Sequence, residues 1–487
     1  MSSETAVPPL VRFPHRPRRG LLLGLTGPQL VVAGATLAAV MSALTTGGLA
    51  SALRLAPLIA VAGALVFMRR SGRTLAEWAP LMARYLVRRE RGQLTWLARP
   101  GTGPVREGLL HLPGAAGSLR VVTAPSRTLS AIHDPHAGTL TAVVRVASTA
   151  FALADPGTQS AQIHGWGRAL AALARTGHIR SLQVLERTVP DSGDALHRHW
   201  TEHGDPATPL AGEIYADLVA AAGPAAAPHE TYVALAFDLK AARRLIQQAG
   251  GGLRGAFTVL EQTKASFTAA ARNAGLTPVR WLTAREIAAV VRSAYDPQVL
   301  PSLQRWSPGG SAQAHPAAAG PVVQIEEFDR IRTDSAFHAT YWVQDWPRTD
   351  TSAGFLHSVL FTSGVRRAFS LHYRPASVEA ALRDVRRRKA AIIADAHERS
   401  RRGQVDSEAD SIEYTDAQER EQQLVAGHAD VALTGLLTVS AATREDLNAD
   451  CSRIETAAVS AQVDLRRLYA QQGAAFTAAA LPLALAA

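Results

Sequence analysis

LLLGLTGPQLVVAGATLAAVMSAL, residues 21–44, and LAPLIAVAGALVFM, residues 55–68, are the apolar runs on which the reading of this chain turns. Thr45-Thr46-Gly47-Gly48 and a short lead-in separate them. Arg12, Arg16, Arg18 and Arg19 precede the first run, and Arg69, Arg70 and Arg73 follow the second. A helix needs about 20 apolar residues to cross a bilayer. The first run meets that length. The second reaches it by starting near Leu49 and carrying Arg54 at its outer rim. Backbone polar groups in lipid must be satisfied internally, so both runs predict helices. Arginines on both outer flanks orient those flanks to the cytoplasm. The expectation is a transmembrane hairpin in the cell membrane, multi-pass, with both termini and the body cytoplasmic. Arg16, Arg18, Arg19, Arg69, Arg70 and Arg73 are the orienting residues. A cleaved signal peptide is the rival reading, but its apolar core would be shorter and would end at a small-residue site. A buried soluble hairpin is the other.

Charge agrees with an anchor. Residues 1–100 hold thirteen Arg and three Glu (Glu4, Glu77, Glu90), with no Lys or Asp. That net +10 equals the formal charge of the whole 487-residue chain, so the remainder is balanced. The basicity therefore describes a collar around a membrane segment, suited to anionic headgroups. It does not describe a nucleic-acid surface, and direct nucleic-acid binding is not expected. Cys451 is the only cysteine, so no intramolecular disulfide can form, as suits a cytoplasmic body. Lys240, Lys264 and Lys389 are the only lysines. With abundant Ala, that bias reflects a GC-rich genome rather than function.

Beyond the hairpin the text alternates. Residues 74–97 place Leu75, Trp78, Leu81, Met82, Tyr85 and Leu86 at helical spacing beside arginines, a helix at the membrane surface or in the core. Strand-like runs follow at 119–124, 129–133, 139–146 and 179–188, with a helix at about 157–175 capped by Asp155 and closed by Gly177. This order resembles a split βαβ, ferredoxin-like half. A strand at 231–239 and helices at 241–248, 256–274 and 283–295 complete the first half. The second half repeats the grammar, with strands at 322–326, 336–345, 367–373 and 430–440. Its helices are a short one at 354–361 and longer ones at 377–402, 406–425 and 443–460. The fold class is thus α/β (α+β), a transmembrane helical hairpin followed by two mixed ferredoxin-like α/β units. The expected divisions are a basic terminus (1–20), the hairpin (21–70), a juxtamembrane helix and linker (71–117), a first unit (118–306), a linker (307–320) and a second unit (321–487).

Catalytic signatures are missing. There is no Gly-x-x-x-x-Gly-Lys-Ser/Thr phosphate loop, no Gly-x-Ser-x-Gly and no His-Glu-x-x-His. The glycines at 250, 251 and 252 read as a break between helices. His197, His199 and His203, and His133 with His136, match no zinc spacing, and Cys451 reads as a packed small residue. No catalytic, cofactor-binding or metal residue is assigned. The run Arg383, Arg386, Arg387, Arg388, Lys389 reads as a solvated face or a protein interface.

Several phrases together resemble the amino-terminal, non-motor domain of conjugation-type secretion ATPases. They are the strand 139–146, the Trp-bearing helix 162–173, the strand 179–188, the strand 367–375 ending in Arg374-Pro375 and the long basic helix 378–401. Gly427-His428-Ala429-Asp430 and the closing Tyr469, Gln471, Phe476, Leu481-Pro482 complete the set. In those ATPases the last phrase leads into the nucleotide-binding motor. Hairpin plus domain is similar to an actinobacterial membrane protein family found beside separate motor ATPases in conjugation or type IV secretion-like clusters. The E component of type VII secretion shares the layout and is the alternative. The resemblance implies a non-enzymatic structural subunit whose partners are membrane lipids, a motor ATPase in trans, other secretion-complex subunits and further copies of itself. Arg386, Arg387, Arg388, Phe476 and Leu481 are the expected partner interface. A membrane-tethered enzyme with an unrecognised site is the rival from another class.

Overall fold

The computed structural model describes residues 10–485 except 12, 14–25, 71, 99–106, 128, 149–150, 190–199, 201–203, 205–208, 222–227, 306–311 and 402–407. A short strand β1 (Leu10–Val11) comes first. The described parts of both apolar runs form helices, α1 (Gly27–Arg54) and α2 (Ala56–Phe67). α1 is interrupted at Gly48, whose φ of 66° and ψ of −164° suit glycine alone. Gln29, at the start of α1, donates from Nε2 to the carbonyl of Val66 at the end of α2, at 2.7 Å, so the two arms lie side by side. Gly27–Gly48 is long and apolar enough to cross a membrane by length and composition, and its most apolar 18-residue stretch has no buried residue. After strands β2 (Arg69–Arg70) and β3 (Arg73–Thr74), helix α3 (Leu75–Glu90) begins. Glu77 Oε2 accepts from the Thr74 amide at its first turn.

The body is mixed α/β around one large antiparallel sheet. Its strands in chain order are β4 (Thr95–Leu97), β5 (Arg120–Thr123), β6 (Ser130–Asp134), β7 (Thr139–Ser148), β8 (Ile179–Thr188), β9 (His229–Asp238) and β10 (Leu276–Trp281). The second half adds β11 (Val323–Glu326), β12 (Ile331–Arg332), β13 (Phe337–Asp345), β15 (Arg366–Pro375), β16 (Val431–Ala441) and β17 (Asp464–Arg467). The two-residue β14 (Thr351–Ser352) pairs with β1 outside that sheet. Spatial order is β4-β11-β12-β13-β16-β15-β8-β9-β7-β6-β5, with β10 alongside β7 and β17 alongside β13.

The two expected units do not carry separate sheets. β8 pairs with β15 from Leu182 opposite Tyr373 to Arg187 opposite Ala368. Separate sheets would leave both of these long, mostly buried strands as open edges, and joining them satisfies both rows of backbone groups. Part of the expected linker lies outside the described residues. The rest is packed: the Ala314 amide bonds the Arg285 carbonyl, and Gly320 runs so close to His111 that a Cβ there would stand 2.0 Å from its carbonyl oxygen.

Alternation gives the sheet two unlike faces. One is apolar: Leu140, Ala142, Val144, Leu182, Val233, Leu235 and Phe237 lie under the helices Pro156–Thr176 and Gly252–Asn273. Its continuation, Tyr341, Phe369, Leu437 and Val439, lies under the helix Arg444–Ser460. Asp155 caps Pro156–Thr176, accepting from the Thr158 amide at 2.9 Å, and Gly177 closes it at φ 71°. The other face carries buried polar residues, among them Ser181, Gln183, Ser370, His372, His338, Thr340 and Thr438. The carboxy-terminal helix Gln472–Ala480 lies on it. Gly and Ala make up most of its sequence, QGAAFTAAA, so its backbone comes within reach of the sheet's side chains.

Candidate functional site

The terminal helix is interior. Phe476 is 1% exposed and Leu481 fully buried, so neither offers a partner surface, and the docking face expected there is corrected to core. Phe476 packs its ring 5.1 Å from Tyr295 and 4.5 Å from His338. Gln183, with no exposed area, donates to Ser370 Oγ (2.9 Å) and to the carbonyls of Ala478 (3.2 Å) and Leu481 (2.9 Å). It also accepts from the Ala484 amide at 2.7 Å. Ser181 Oγ donates to the Ala484 carbonyl, and His372 Nε2 meets the Ala478 carbonyl. Gln472 holds the helix start, accepting from the Thr340 amide and donating to the Thr340 and Leu468 carbonyls. Burial pushes the His372 imidazole down to about 4 and that of His338 to about 3, so both are neutral at ordinary pH.

On the same face a buried ion cluster joins β8 to β9. Arg187 forks onto Glu230 Oε2 from Nε (3.0 Å) and Nη2 (2.7 Å), and its Nη1 reaches the Val290 carbonyl and Ser293 Oγ. Tyr232 donates to the same carboxylate. Burial opposes the Glu230 charge, but the adjacent guanidinium outweighs it and holds the carboxyl below its usual range. All its members are mutually satisfied, which fits a structural tie better than a reacting group. A sequence pass missed it because Arg187 and Glu230 are 43 residues apart.

Both ends of the apolar helical segment are tied to the body. Ahead of α1, β1 pairs with β14 and Phe13 stacks on Trp346 at 5.0 Å. Behind α2, α3 docks through Trp78 and Tyr85 onto Phe328, through Trp78 onto Tyr469, and through Arg88, which forms an ion pair with Glu326. Of the orienting arginines, Arg16, Arg18 and Arg19 lie outside the described residues. Arg69 and Arg70 form β2, and Arg73 lies in β3.

A second prominent feature is a helical arm. Val378–Arg401 leaves the end of β15 and Glu408–Val425 returns to the start of β16. The two are held antiparallel by Lys389 Nζ to Glu421 at 2.7 Å, by Arg420 to Asp384 at 3.4 Å, and by a small cluster of Ala381, Val385 and Leu424 near the base. Arg386 and Arg387 are exposed and Arg388 half-buried.

The sheet curls enough that β4 and β11 at one end, and residues 113–119 with β6 at the other, line one cleft of about 880 Å³. On its wall Gln324 Oε1 and Trp96 Nε1 have no hydrogen-bond partner among the described residues. These two residues are directly opposed across β4 and β11.

Cys451 lies on the buried face of the helix Arg444–Ser460, and burial pushes its thiol up. His197, His199 and His203 lie outside the described residues, and His133 and His136 flank a turn ordered by Asp134. Among the described residues no group of three or more His, Cys, Asp or Glu is placed to hold a metal ion. Comparison with protein-family models finds no match. Comparison with curated protein sequences finds none either.

Proposed function

We propose that this chain is a membrane-anchored, non-enzymatic structural subunit of a type IV secretion or conjugation-like machine, docking a separate motor ATPase on its cytoplasmic side. The observation that carries the anchor is the double attachment of the hairpin. β1 and Phe13 before it, and α3 after it, both rest on residues of one body. A chain entering and leaving from the same body crosses a bilayer an even number of times. The break at Gly48 divides the segment into arms of 21 and 19 residues, each about 30 Å long at 1.5 Å per residue, the thickness of a hydrocarbon core. The flanking arginines favour the cytoplasm for both ends. The type of machine rests on the resemblance of the strand and helix phrases to the non-motor domain of secretion ATPases. With Phe476 and Leu481 buried, the docking surface in this reading is the basic side of the helical arm, at Arg386, Arg387 and Arg388.

The test has two arms. Reporters active only outside the cell, fused after Ser71 and within residues 45–48, should be silent and active respectively. The reverse pattern refutes the orientation. Full-length protein purified from its native host should bring down a P-loop ATPase, and loss of that ATPase from Arg386→Glu/Arg387→Glu/Arg388→Glu protein supports the docking surface. Wild-type protein that carries no ATPase refutes the motor partnership.

A further inference from the structure

The helical arm and the apolar segment leave the sheet at the same end. Trp342 of β13 lies opposite Leu436 of β16, and Val431 at the start of β16 lies opposite Pro375 at the end of β15. The end of β13, the start of β16 and the end of β15 therefore share one end of the sheet. Both attachments of the apolar segment are there. Phe13 stacks on Trp346, just past β13. Gly72, in the turn after α2, passes so close that a Cβ on it would stand 2.9 Å from Gln344 Oε1. Val378–Arg401 springs from β15 at that end, and Glu408–Val425 returns to β16. Two strand spacings, about 10 Å, separate β13 from β15. Arg420 braces the arm at its base, pairing with Asp384 of the other helix and with Asp430 just ahead of β16. Ala381, Val385 and Ile392 are buried positions of Val378–Arg401. At 3.6 residues per turn the opposite side carries Arg383, Arg386, Arg387, Ala390, Ile393 and Ala394, all exposed. The only acid between residues 380 and 394 is Asp384, which turns to Arg420.

We propose that this strip lies on the cytoplasmic surface of the membrane that the apolar segment crosses, its arginines on the phosphates of anionic lipids and Ile393 in the headgroup layer. Val378–Arg401 is a rod of about 36 Å at 1.5 Å per residue, rooted beside the point where the chain enters lipid. Its charged side chains keep it out of the hydrocarbon core, so it lies along the surface or stands away from it. The composition of the strip favours the surface. Arginines beside a cytoplasmic leaflet are drawn to its negative potential, and basic residues next to exposed apolar ones are what a helix in the interface plane presents. A purely polar partner would match Arg383, Arg386 and Arg387 but would leave Ile393, 54% exposed, without a role. The inference rests on the membrane anchor of the proposed function and not on its motor, which would have to displace lipid to reach Arg386 and Arg387.

The experiment uses full-length Ala390→Cys protein, labelled with a fluorophore and reconstituted in nanodiscs of phosphatidylcholine with or without phosphatidylglycerol, part of the lipid spin-labelled near the glycerol. Cys451 is buried and left in place, and wild-type protein taken through the same labelling is the blank. Leu153→Cys is the comparison. Leu153 is 88% exposed and follows the end of β7. The start of β7 lies opposite the end of β9, the end of β9 opposite the start of β8, and the first half of β8 opposite the end of β15, so Leu153 is at the far end of the sheet. With phosphatidylglycerol present, quenching at residue 390 should exceed that at residue 153 by about twofold or more. It should fall to the level of residue 153 in phosphatidylcholine alone, at raised salt, and in Arg383→Glu/Arg386→Glu/Arg387→Glu protein. The lipid exchange changes no residue of the strip, so damaged folding cannot mimic its result. Quenching at 390 no stronger than at 153 in the anionic discs, or equally strong in phosphatidylcholine alone, overturns the proposal. Protein that fails to enter the discs refutes the anchor and this inference together. Protein that enters them with residue 390 unquenched refutes this inference and leaves the anchor standing.

Discussion

Replacing Gln183 with Leu isolates what holds the terminal segment in place. The substitution keeps the side chain's approximate volume and removes every polar contact it makes. The Ala484 amide loses its acceptor, and Ser370 Oγ and the Ala478 carbonyl each lose one donor while retaining His372. The Leu481 carbonyl keeps the Leu483 amide. One buried donor is therefore fully orphaned, and three acceptors are each left with one partner fewer. A buried unsatisfied group costs about 1–3 kcal/mol, and a typical hydrogen bond contributes about 1 kcal/mol. Gln183→Leu should accordingly destabilise by about 2–4 kcal/mol, partly offset by added apolar burial. Ala484 also sits at φ 47°, a strained conformation for alanine, and Gln183 is the side chain that holds its amide there. The loss should therefore be local as well as global. Urea unfolding of the full chain gives the first number, and hydrogen exchange over residues 478–485 gives the second, with protection falling there before it falls in β8. A cost below about 1 kcal/mol with unchanged exchange in the tail would refute the view that this glutamine pins the terminal helix.

Three further outcomes follow from other buried groups. His338 and His372 have native pKa values pushed by burial to about 3 and about 4, below the ordinary value of 6.5. The unfolded chain therefore takes up protons that the folded chain refuses, and stability should fall as pH drops from about 6.5 toward 4, by about 1.4 kcal/mol per pH unit for each histidine. Urea midpoints at pH 7.5, 6 and 5 check this, and a flat profile would refute it. Glu230, whose pKa is lowered, adds its own loss only at more acid pH. Glu230→Gln should cost about 3–5 kcal/mol, because it leaves the Arg187 guanidinium buried without a counter-charge. Thermal melts of the pair Glu230→Gln and Arg187→Met/Glu230→Gln should show the double variant recovering much of the loss.

Local signals in the sequence identified most elements because each has a short-range cause. Asp155 and Gly177 bracket one helix, Thr283 and Thr443 start two others, and β-branched runs mark β7, β8 and β9. The glycines at 250–252, all at positive φ, break the chain between helices as their spacing suggests. Short strands such as β4, β12 and β17 carry too few residues for a period to show, and β10 begins right after a long helix. The joining of two halves into one sheet was also hidden. It depends on β8 meeting β15 across nearly 190 residues, and nothing local to either strand encodes its neighbour.

The terminal helix shows why the docking surface was misplaced. An Ala-rich segment ending in Phe476 and Leu481 has the composition of an exposed apolar patch when judged alone. Its real partner is a sheet face whose alternate residues are Ser181, Gln183, Ser370, His372 and Thr340, a pattern that in isolation suggests solvent. Each half looks wrong by itself, and the two correct each other. Small side chains let the helix backbone approach, and the polar sheet residues satisfy the carbonyls and amides that approach exposes. The amino-terminal apolar segment follows the same logic on a larger scale. The rings Trp346, Phe355, Phe328 and Tyr469 and the carboxylate of Glu326, which receive it among the described residues, belong to the second half of the chain. The first half meets the second through the β8–β15 seam, through the terminal segment laid across that seam, and through Tyr295, Asp296 and Arg292, which bond Thr333, Ser335 and Asp334. Gln183 and its neighbours are thus among the ties that join β8, and through it β9 and β7, to the half that receives the apolar segment. That is a physical reason for a hydrogen-bonded polar seam, whose directional contacts fix register, at the place where apolar packing alone would let the two halves slide.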